Sequence, residues 1–373
     1  MKKISLITLF FFTNIHLGHA LEETIKIYRG ARGLAMGGTW VTTGNYSEAL
    51  FGNPARHAST EISKFSILDL NTEANLNLIT NASSFLKLNS ASGTGFLNDV
   101  TKLIGKNMHY RVDALTAYYS PSQSEDLSIA AGLLFSSKTN LTIRHTTNIS
   151  AQFINDFGPN FGFAYPIIPK YLLLGLNLHL IYRTGIDEHI RSSEILSGMK
   201  KLGLKGYGKQ GVGLDGDFGL FYKIPWEPTW VRVSVGVSAN NFLASDYDLI
   251  PLRLISGLSS FPPPNDRYYN FGFRFDFRDT RKLKSNVWAF EIQEIGTKIK
   301  KSSFPKKIHT GWESQLSKYL FLRLGLNQGY PGGGFGFEFP VLKLDILTYG
   351  EELAITSGEK QDRRIMLRLA FEI

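Results

Sequence analysis

The side chains that most often catalyse reactions or bind metals are few in this chain, and their spacing matches neither kind of site. Cysteine is absent, which excludes thiolate catalysis, cysteine-bound zinc and disulfides. The eight histidines form no H-x-x-x-H or H-E-x-x-H pattern, so no zinc site is indicated. No G-x-S-x-G elbow is present, although the sequence leaves open a single His–Ser pair formed across two strands. We therefore expect no enzyme activity, no catalytic residue, no cofactor and no metal.

Two glycine-rich segments resemble nucleotide-binding loops only superficially. Residues 206–211, G-Y-G-K-Q-G, fit the G-x-G-x-x-G fingerprint. That fingerprint must follow a strand and open a helix, whereas a predicted loop precedes this segment and an alternating strand follows it. Residues 332–334 are consecutive glycines without the Gly-Lys-Ser/Thr ending of a phosphate loop, and we interpret them as turn residues.

The remaining chemically active side chains are charged residues that alternate with apolar ones. Between residues 269 and 277 every odd position is Tyr or Phe, while Arg274 and Asp276 share the other parity. Successive side chains of a strand point to opposite faces, so such a segment has one apolar and one polar face. Carboxylates on the polar face would be intolerable towards lipid but suit a water-filled lumen. The charged residues placed in a lumen by this pattern are Arg183, Asp215, Asp217, Arg232, Arg274, Asp276, Arg323 and Arg368.

These lumen charges could form a ligand site, but we favour a structural role for them. Lumen walls hydrate or pair their charges, and any segment folded inside needs hydrogen-bond partners. The basic run at residues 297–307, T-K-I-K-K-S-S-F-P-K-K, could contact anionic lipid head groups, and we favour a solvated turn there too.

The final segment shows the strand alternation most clearly. It comprises residues 363–373, R-R-I-M-L-R-L-A-F-E-I, and carries Arg368. Its alternation indicates a strand, and about eleven residues is the length that crosses a bilayer at a tilt. A soluble sandwich strand shows the same alternation, so that alternative stays open. If the strand closes a barrel, we expect Leu367→Arg to impair insertion and Arg368→Ala to be tolerated. The chain ends at Ile373, whereas outer-membrane barrels usually end in an aromatic residue.

Composition agrees with an all-β fold, namely a transmembrane antiparallel up-and-down β-barrel. The chain is 43% hydrophobic and 20% charged, and it has no apolar run of the roughly 18 residues that a membrane helix needs. The 13% of aromatic residues fits the aromatic girdles of a barrel, and the 36 glycines fit strands in which glycine relieves steric crowding. A soluble β-sandwich with many turns is also compatible.

The N-terminus predicts export. Lys2 and Lys3 precede an apolar run at residues 4–15, and residues 18–20 supply a small-x-small cleavage site. We assign residues 1–20 to a signal peptide, cleaved near Ala20. The net charge of +9 could indicate nucleic acid or anionic lipid head groups, and export favours the lipid. We expect no nucleic-acid partner.

A glycine-rich stretch follows the signal peptide and carries a family resemblance. Residues 29–55, R-G-A-R-G-L-A-M-G-G-T-W-V-T-T-G-N-Y-S-E-A-L-F-G-N-P-A, hold glycine too densely for a stable helix or strand. The opening R-G-x-x-M-G-G…A-x-x-x-N-P-A resembles that of the FadL-like outer-membrane family, which includes long-chain fatty-acid transporters and PorV-like barrels. The matching residues are Gly33, Met36, Gly37, Gly38, Asn53, Pro54 and Ala55. The resemblance implies a hatch folded into the barrel lumen.

The resemblance also bears on the domain organisation. We assign residues 21–60 to the hatch and residues 61–373 to the barrel. The strand pattern alone allows fourteen to sixteen strands, and the resemblance implies about 14. Individual expectations include a short strand at residues 75–80 and separate strands at 127–137, 141–155 and 157–165.

The function that the resemblance implies is passive uptake of hydrophobic, fatty-acid-like small molecules across the bacterial outer membrane. The alternative is a non-transporting PorV-like barrel that acts as a scaffold or shuttle for partner proteins at the cell surface. The expected partners are outer-membrane lipid and lipopolysaccharide, with a hydrophobic small-molecule ligand in the first reading and proteins in the second. The ligand, the gating event and the oligomeric state do not follow from the sequence.

Overall fold

The computed structural model of the chain is a closed barrel of fourteen antiparallel strands. It describes residues 23–59, 62–87, 93–120, 127–145, 148–191, 193, 207–226, 230–250, 252–258, 260–279 and 284–373. The predicted signal peptide, residues 1–20, lies outside the described residues. The strands are β1 (Lys64–Asn75), β2 (Asn107–Tyr119), β3 (Ser128–His145), β4 (Asn148–Ile168), β5 (Leu172–Arg191), β6 (Lys209–Lys223), β7 (Val231–Asn240), β8 (Tyr268–Phe277), β9 (Lys284–Ile295), β10 (Ile308–Gln315), β11 (Leu320–Asn327), β12 (Tyr330–Glu338), β13 (Leu342–Glu352) and β14 (Gln361–Glu372).

Each strand pairs with its neighbours in chain order, and β14 returns to pair with β1. Leu70 lies opposite Leu369 in that closing pair, and Asn71 lies opposite Arg368. Closure satisfies the backbone hydrogen bonds of the first and last strands, which lipid could not do. The fold class and the count of about 14 strands are therefore confirmed.

The alternation read from the sequence describes the two faces of the wall. In β14, Leu367 and Phe371 are exposed on the outside, whereas Met366 and Ala370 are buried inside. Leu324 and Trp288 are likewise exposed on the outer surface. Within the described residues no helix is long and apolar enough to cross a membrane.

The barrel has two unlike ends. At the terminal end, where β1 begins and β14 finishes, short turns join the strands. At the opposite end, here called the loop end, lie the long connections and two helices, α3 (Leu76–Lys87) and α4 (Gly93–Leu103). Strands β3, β4 and β5 have 18, 21 and 20 residues, whereas β10 and β11 have 8 each. The wall is therefore much longer at β3 to β5, which we call the tall side.

The predicted strand at residues 75–80 is wrong, because β1 ends at Asn75 and α3 begins at once. The Asn75 side-chain oxygen accepts the backbone N–H of Leu78 at 2.9 Å, which satisfies one of the free donors of the first helical turn. Leu103 of α4 packs against Ile143 and Ile149 in an apolar cluster on the tall side of the wall. No side chain of α3 is buried, but Leu78 and Phe85 pack partly buried against this cluster, so a helix capped by Asn75 forms where the local pattern indicated a weak strand.

Two further expectations are corrected. The three strands predicted at 127–137, 141–155 and 157–165 are two long strands, β3 and β4, whose ladder continues through Pro159 opposite Leu133. Residues 332–334 are not a turn: Gly333 lies in β12 and pairs with Leu324 on one side and Thr348 on the other. Glycines are tolerated there because both neighbouring strands supply hydrogen bonds and close packing.

Candidate functional site

Residues 23–59 fold inside the barrel lumen. They form two short helices, α1 (Ala31–Ala35) and α2 (Ser47–Leu50), and a 3-10 helix at Pro54–Ser59. Helix α1 packs against Leu347 of β13 and Met366 of β14. Ala55 packs against Leu173 of β5 and Phe221 of β6. Because these contacts lie on different sides of the wall, the segment extends across the lumen. We call residues 23–59 the hatch segment.

We call the residues that match the family pattern (Gly33, Met36, Gly37, Gly38, Asn53, Pro54 and Ala55) the hatch motif. Its Gly37-Gly38 turn contacts β9, β10 and β11. Gly37 and Gly38 have φ of 69° and 84°, a backbone conformation that favours glycine. The Gly37 carbonyl accepts a hydrogen bond from Nδ1 of His309 at 3.0 Å, and the Gly38 carbonyl accepts one from Gln293 Nε2 at 2.8 Å. Met36 is fully buried. The turn is thus docked on the wall through its own backbone.

Other members of the motif have internal and wall partners. The backbone N–H of Gly33 donates to Glu48 Oε1 at 2.7 Å within the hatch segment. Asn53 Nδ2 donates to the carbonyls of Val41 at 2.8 Å and Leu220 at 3.2 Å, and so ties the hatch segment to β6.

Glycines of the wall make room for the hatch backbone. Gly311 and Gly325 face Met36 and Gly37 so closely that neither wall position has room for a side chain. On the other side of the lumen, Gly175 of β5 faces the backbone of Pro54 and Ala55 in the same way, and Gly219 of β6 faces the side chains of Asn53 and Pro54. The alternation of strand residues predicts which face these glycines occupy, but it does not predict which hatch residues they contact.

Carboxylates of the wall anchor the hatch segment. Glu291 of β9 accepts the backbone N–H groups of Trp40, Val41 and Thr42 at 3.0, 3.1 and 2.9 Å. Glu313 of β10 binds the Arg32 guanidinium through two hydrogen bonds of 2.8 and 2.6 Å. Bidentate Arg–carboxylate pairs fix orientation as well as distance. Neither glutamate was singled out by the sequence, since one carboxylate in a strand resembles any other.

The first described residue of the hatch segment, Glu23, is the centre of a buried ion cluster. Its carboxylate lies 2.8 Å from Arg364, 3.2 Å from Arg29 and 3.0 Å from Lys138. Burial alone would raise the pKa of Glu23, but the cations, Arg364 foremost, lower this pKa well below its usual value. The start of the hatch segment is therefore held ionised against β3 and β14.

The predicted lumen residues of β5 and β6 lie inside, where they hold the loop end. Arg183 binds Asp156 through two hydrogen bonds of 2.6 and 2.7 Å and donates to Asn265 of the β7–β8 connection at 2.8 Å. Asp215 accepts the N–H of Leu243, and Asp217 contacts His179 at 2.9 Å and accepts the N–H of Asn241 at 3.0 Å. These charges are matched by protein partners.

Arg323 and Arg368 also lie on the inward face, near the terminal end. Arg323 binds Glu313 at 2.6 Å and also Asp345, while Arg368 binds Asp69 at 2.8 and 2.9 Å and Asp345 at 3.1 Å. The two arginines thus share the Asp345 carboxylate.

Arg232, Arg274 and Asp276 differ from the other predicted lumen residues, because they line a space that is open at the terminal end. Arg274 binds Asp276 at 2.6 Å. Arg232 is exposed and lies opposite Asp276 in the β7–β8 ladder.

Empty space lies on both sides of the hatch segment. An inner cavity of about 50 Å³ is bounded by Trp40 and Phe51 of the hatch segment and by His179 and Tyr268 of the wall. A middle cavity of about 40 Å³ lies next to it, towards the terminal end. The outermost cavity, of about 880 Å³, is open at that end.

The partitions between these cavities are thin. The inner and middle cavities share Tyr28, Gly30 and Glu48 as lining residues. The middle and outermost cavities share Arg32 and Asn45. Glu48 packs so tightly over Gly30 that a side chain at residue 30 would overlap its carboxylate. Burial raises the pKa of Glu48, and its Oε2 has no hydrogen-bond partner among the described residues. The Glu48–Gly30 contact is therefore part of the partition between the inner and middle cavities.

Ser150 and His189 form one cross-strand pair, with Oγ 2.9 Å from Nδ1. The nearby Asp187 binds Gln152 and Lys300 instead. Within the described ranges, no group of three or more His, Asp or Glu side chains could hold a metal ion. The pair therefore lacks the acidic group that would orient a catalytic histidine.

Fold and site together define a class: a fourteen-stranded barrel whose N-terminal segment folds into its own lumen. No family model and no curated protein matches the sequence. The chain is similar in structure to the toluene transporter TodX of Pseudomonas putida, with a TM-score of 0.50, 14% identity, and coverage of 92% of this chain and 96% of that one.

Two further solved structures show the same likeness. The toluene transporter TbuX of Ralstonia pickettii has a TM-score of 0.51 and 11% identity, and the alignment covers 92% of this chain and 97% of that one. The monoaromatic hydrocarbon channel CymD has a TM-score of 0.51 and 11% identity, covering 94% and 98%. At such identities the likeness shows the fold alone. That fold, a closed antiparallel barrel of fourteen strands, is the one that the resemblance in the sequence implied.

Proposed function

We propose that the protein is an outer-membrane channel for the passive uptake of hydrophobic small molecules. The observation that carries the proposal is the presence of cavities on both sides of the hatch segment, which share Tyr28, Gly30 and Glu48 as lining residues. A solid plug would leave no such space. The molecule would enter from the loop end, reach the inner cavity beside Trp40 and Phe51, and leave after a local movement of the hatch segment.

The orientation in the membrane follows from the general architecture of outer-membrane barrels. Their short turns face the periplasm and their long loops face outwards, so the terminal end here would be periplasmic. The outward apolar face would contact lipid and lipopolysaccharide. We further propose that residues 1–20 are removed near Ala20 and that residues 21–60 act as the hatch.

Solved structures that share the fold support the class of substrate. TodX and TbuX are described as toluene transporters and CymD as a monoaromatic hydrocarbon channel. The aromatic lining of the inner cavity suits a small apolar molecule, because aromatic side chains offer large apolar contact area.

The test is an uptake assay in cells whose copy of the gene has been deleted, with labelled toluene and a labelled fatty acid. Wild-type protein should restore uptake of one or both. Uptake equal to that of the deletion strain would remove the proposal. Co-purification of a stoichiometric protein partner in that case would favour the scaffold alternative.

A cysteine pair tests whether the hatch segment must move. Thr42 and Gly272 are suited to it, because a Cβ placed on Gly272 would lie 3.1 Å from Cγ2 of Thr42. The chain has no cysteine of its own, so the double variant can form only this crosslink. Oxidised Thr42→Cys/Gly272→Cys should lose uptake and regain it with a reductant, while each single variant should transport under both conditions.

A further inference from the structure

A patch of positive charge covers the inward face of β6, β7 and β8 at the terminal end. Lys223 lies opposite Ser234, and Ser234 lies opposite Arg274. Arg232 lies opposite Asp276. Because adjacent strands are about 5 Å apart, three cations and one carboxylate share an area only about 10 Å wide. We call Arg56, Lys223, Arg232 and Arg274 the basic patch.

Among the described residues, the cations of the basic patch outnumber the carboxylates that form ion pairs with them. Arg274 takes both oxygens of Asp276, with distances of 3.0 and 2.6 Å. In the part of the chain that the structure describes, no carboxylate forms an ion pair with Lys223, Arg232 or Arg56. This differs from the rest of the lumen, where the arginines at 183, 323 and 368 each bind a carboxylate.

Arg56 of the hatch segment is the buried member of the patch. It is 9% exposed, and its guanidinium donates to neutral groups only, the Gly44 carbonyl at 3.0 Å and Ser59 Oγ at 3.1 Å. It also stacks over Phe221, with 4.4 Å between the guanidinium carbon and the ring centroid. Burial, and then repulsion by Arg274, lowers the pKa of Arg56 to about 9. A cation in such surroundings favours a nearby anion.

The space beside the patch also has an apolar side. Arg232 and Arg274 line the outermost cavity together with Trp230, Phe277 and Phe321. The rings of Trp230 and Phe277 stack with 6.4 Å between their centroids. A ligand in this cavity could therefore place an acidic group on the arginines and an apolar body against the aromatic rings.

We propose that the basic patch binds the carboxylate of an organic anion that has an apolar body, at the mouth through which the proposed function would release its substrate. Binding at the patch does not depend on the proposed function, but the role of the patch as an exit site rests on it. Guanidinium groups match a carboxylate geometrically. Asp276, in the middle of the patch, would repel a dianion more than a monoanion, which favours a carboxylate over a phosphate.

The test uses the purified full chain in a zwitterionic detergent and measures binding calorimetrically. Benzoate is the anionic probe, benzyl alcohol its neutral counterpart, and inorganic phosphate a probe without an apolar body. Arg232→Gln is the variant of choice, because Arg232 is exposed and forms no ion pair that folding would need. Arg253→Gln is the matched control, an exposed arginine in the β7–β8 connection at the loop end.

We expect Arg232→Gln to weaken benzoate binding about tenfold while benzyl alcohol binding is unchanged, since one charge-assisted contact is lost. Arg253→Gln should bind both probes as the wild type does. Three results would overturn the proposal: no benzoate binding by the wild type, equal weakening in both variants, or phosphate binding as tight as that of benzoate. Retained heat-modifiable gel migration would show that Arg232→Gln still forms a barrel.

The same measurement separates this inference from the proposed function. Binding by purified protein does not depend on uptake in cells. Benzoate binding that needs Arg232, together with uptake no better than in the deletion strain, would leave the site standing without a transport role. Toluene uptake without any such binding would leave the channel standing and remove the site.

Discussion

Glu291 in the barrel wall accepts hydrogen bonds from both the backbone N–H and the hydroxyl of Thr42 in the hatch segment, each at 2.9 Å. The two neighbouring N–H groups, of Trp40 and Val41, donate to the same carboxylate. One wall side chain therefore satisfies a whole turn of the hatch backbone. The contact joins residues about 250 positions apart.

Replacing Glu291 should loosen the hatch segment and leave the barrel intact. In Glu291→Gln an amide N–H₂ would replace one of the two oxygens, of which Oε2 accepts the N–H groups of Trp40 and Val41 and Oε1 accepts that of Thr42. Leaving buried donors unsatisfied costs roughly 1–3 kcal/mol each, so hatch docking should weaken by about 2–4 kcal/mol. Limited proteolysis should then cleave residues 23–59 faster, with unchanged heat-modifiable migration. Glu188→Gln, at a partly exposed ion pair with Lys209, is the control and should resist cleavage like the wild type.

Replacing Glu48 should join the inner and middle cavities. Glu48→Ala removes the side chain that packs over Gly30, so ion conductance in planar bilayers should rise. Glu48→Gln keeps the volume and can still accept the Gly33 N–H, and it should stay closed. Equal conductance of the two variants would mean that the partition lies elsewhere.

Docking of the hatch segment should weaken in acid. The pKa of Glu23 is lowered in the docked state, so its ion pairs stabilise docking fully above its ordinary value of 4.5. This stabilisation is lost as the pH falls below 4.5 towards the lowered pKa. Protease sensitivity of residues 23–59 measured from pH 7 to pH 3 should therefore increase in acid. Glu23→Gln should be sensitive already at pH 7, and a flat wild-type profile would contradict the prediction.

The two faces of β14 should respond differently to substitution. Leu367 faces outwards, and Leu367→Arg would place a cation in lipid at a cost of roughly 2–4 kcal/mol near the midplane. Loss of the heat-modifiable form would show the failed insertion. An Arg at this position that inserts normally would mean that the outer face does not meet lipid.

The structure changes the expectation for Arg368. The sequence suggested that Arg368→Ala would be tolerated, but this arginine binds Asp69 and Asp345. Without the Arg368 guanidinium, the carboxylates of Asp69 and Asp345 would each lose an ion-pair partner, which should lower the free energy of unfolding by about 3 kcal/mol. The urea midpoint of the folded barrel should fall accordingly, and Asp69→Asn in the same chain should recover part of the loss.

Local periodicity is the part of the fold that could be read directly. The alternating residues 269–277 lie in β8, and residues 363–372 of the final segment lie in β14, because side-chain alternation is a property of neighbours in the chain. The errors fall where contacts override a local signal. Leu76 starts a helix that Asn75 caps and whose Leu78 and Phe85 pack against the wall, and the glycines at 332–334 continue a strand because both neighbouring strands support them.

The hatch motif predicted the compact segment inside the barrel but not the wall residues that bind it. Its glycines and the Asn53-Pro54 pair pointed to a compact segment, and the resemblance implied its place in the lumen. The wall residues that receive it, Glu291, Glu313 and Gly311, carried no signal of their own. Each is an ordinary strand residue until the barrel brings it to the hatch segment.

The sequence by itself determined two-faced strands and a glycine-rich segment ahead of them, and it left both a barrel and a soluble sandwich open. Only the tertiary structure decided which charges the protein neutralises, since Arg368 and Asp69 meet through barrel closure across 299 positions. It likewise showed that, among the described residues, no carboxylate forms an ion pair with Arg232 or Arg56. Alternation follows from backbone geometry, which acts between adjacent residues, whereas charge pairing depends on distances that exist only once the last strand has joined the first.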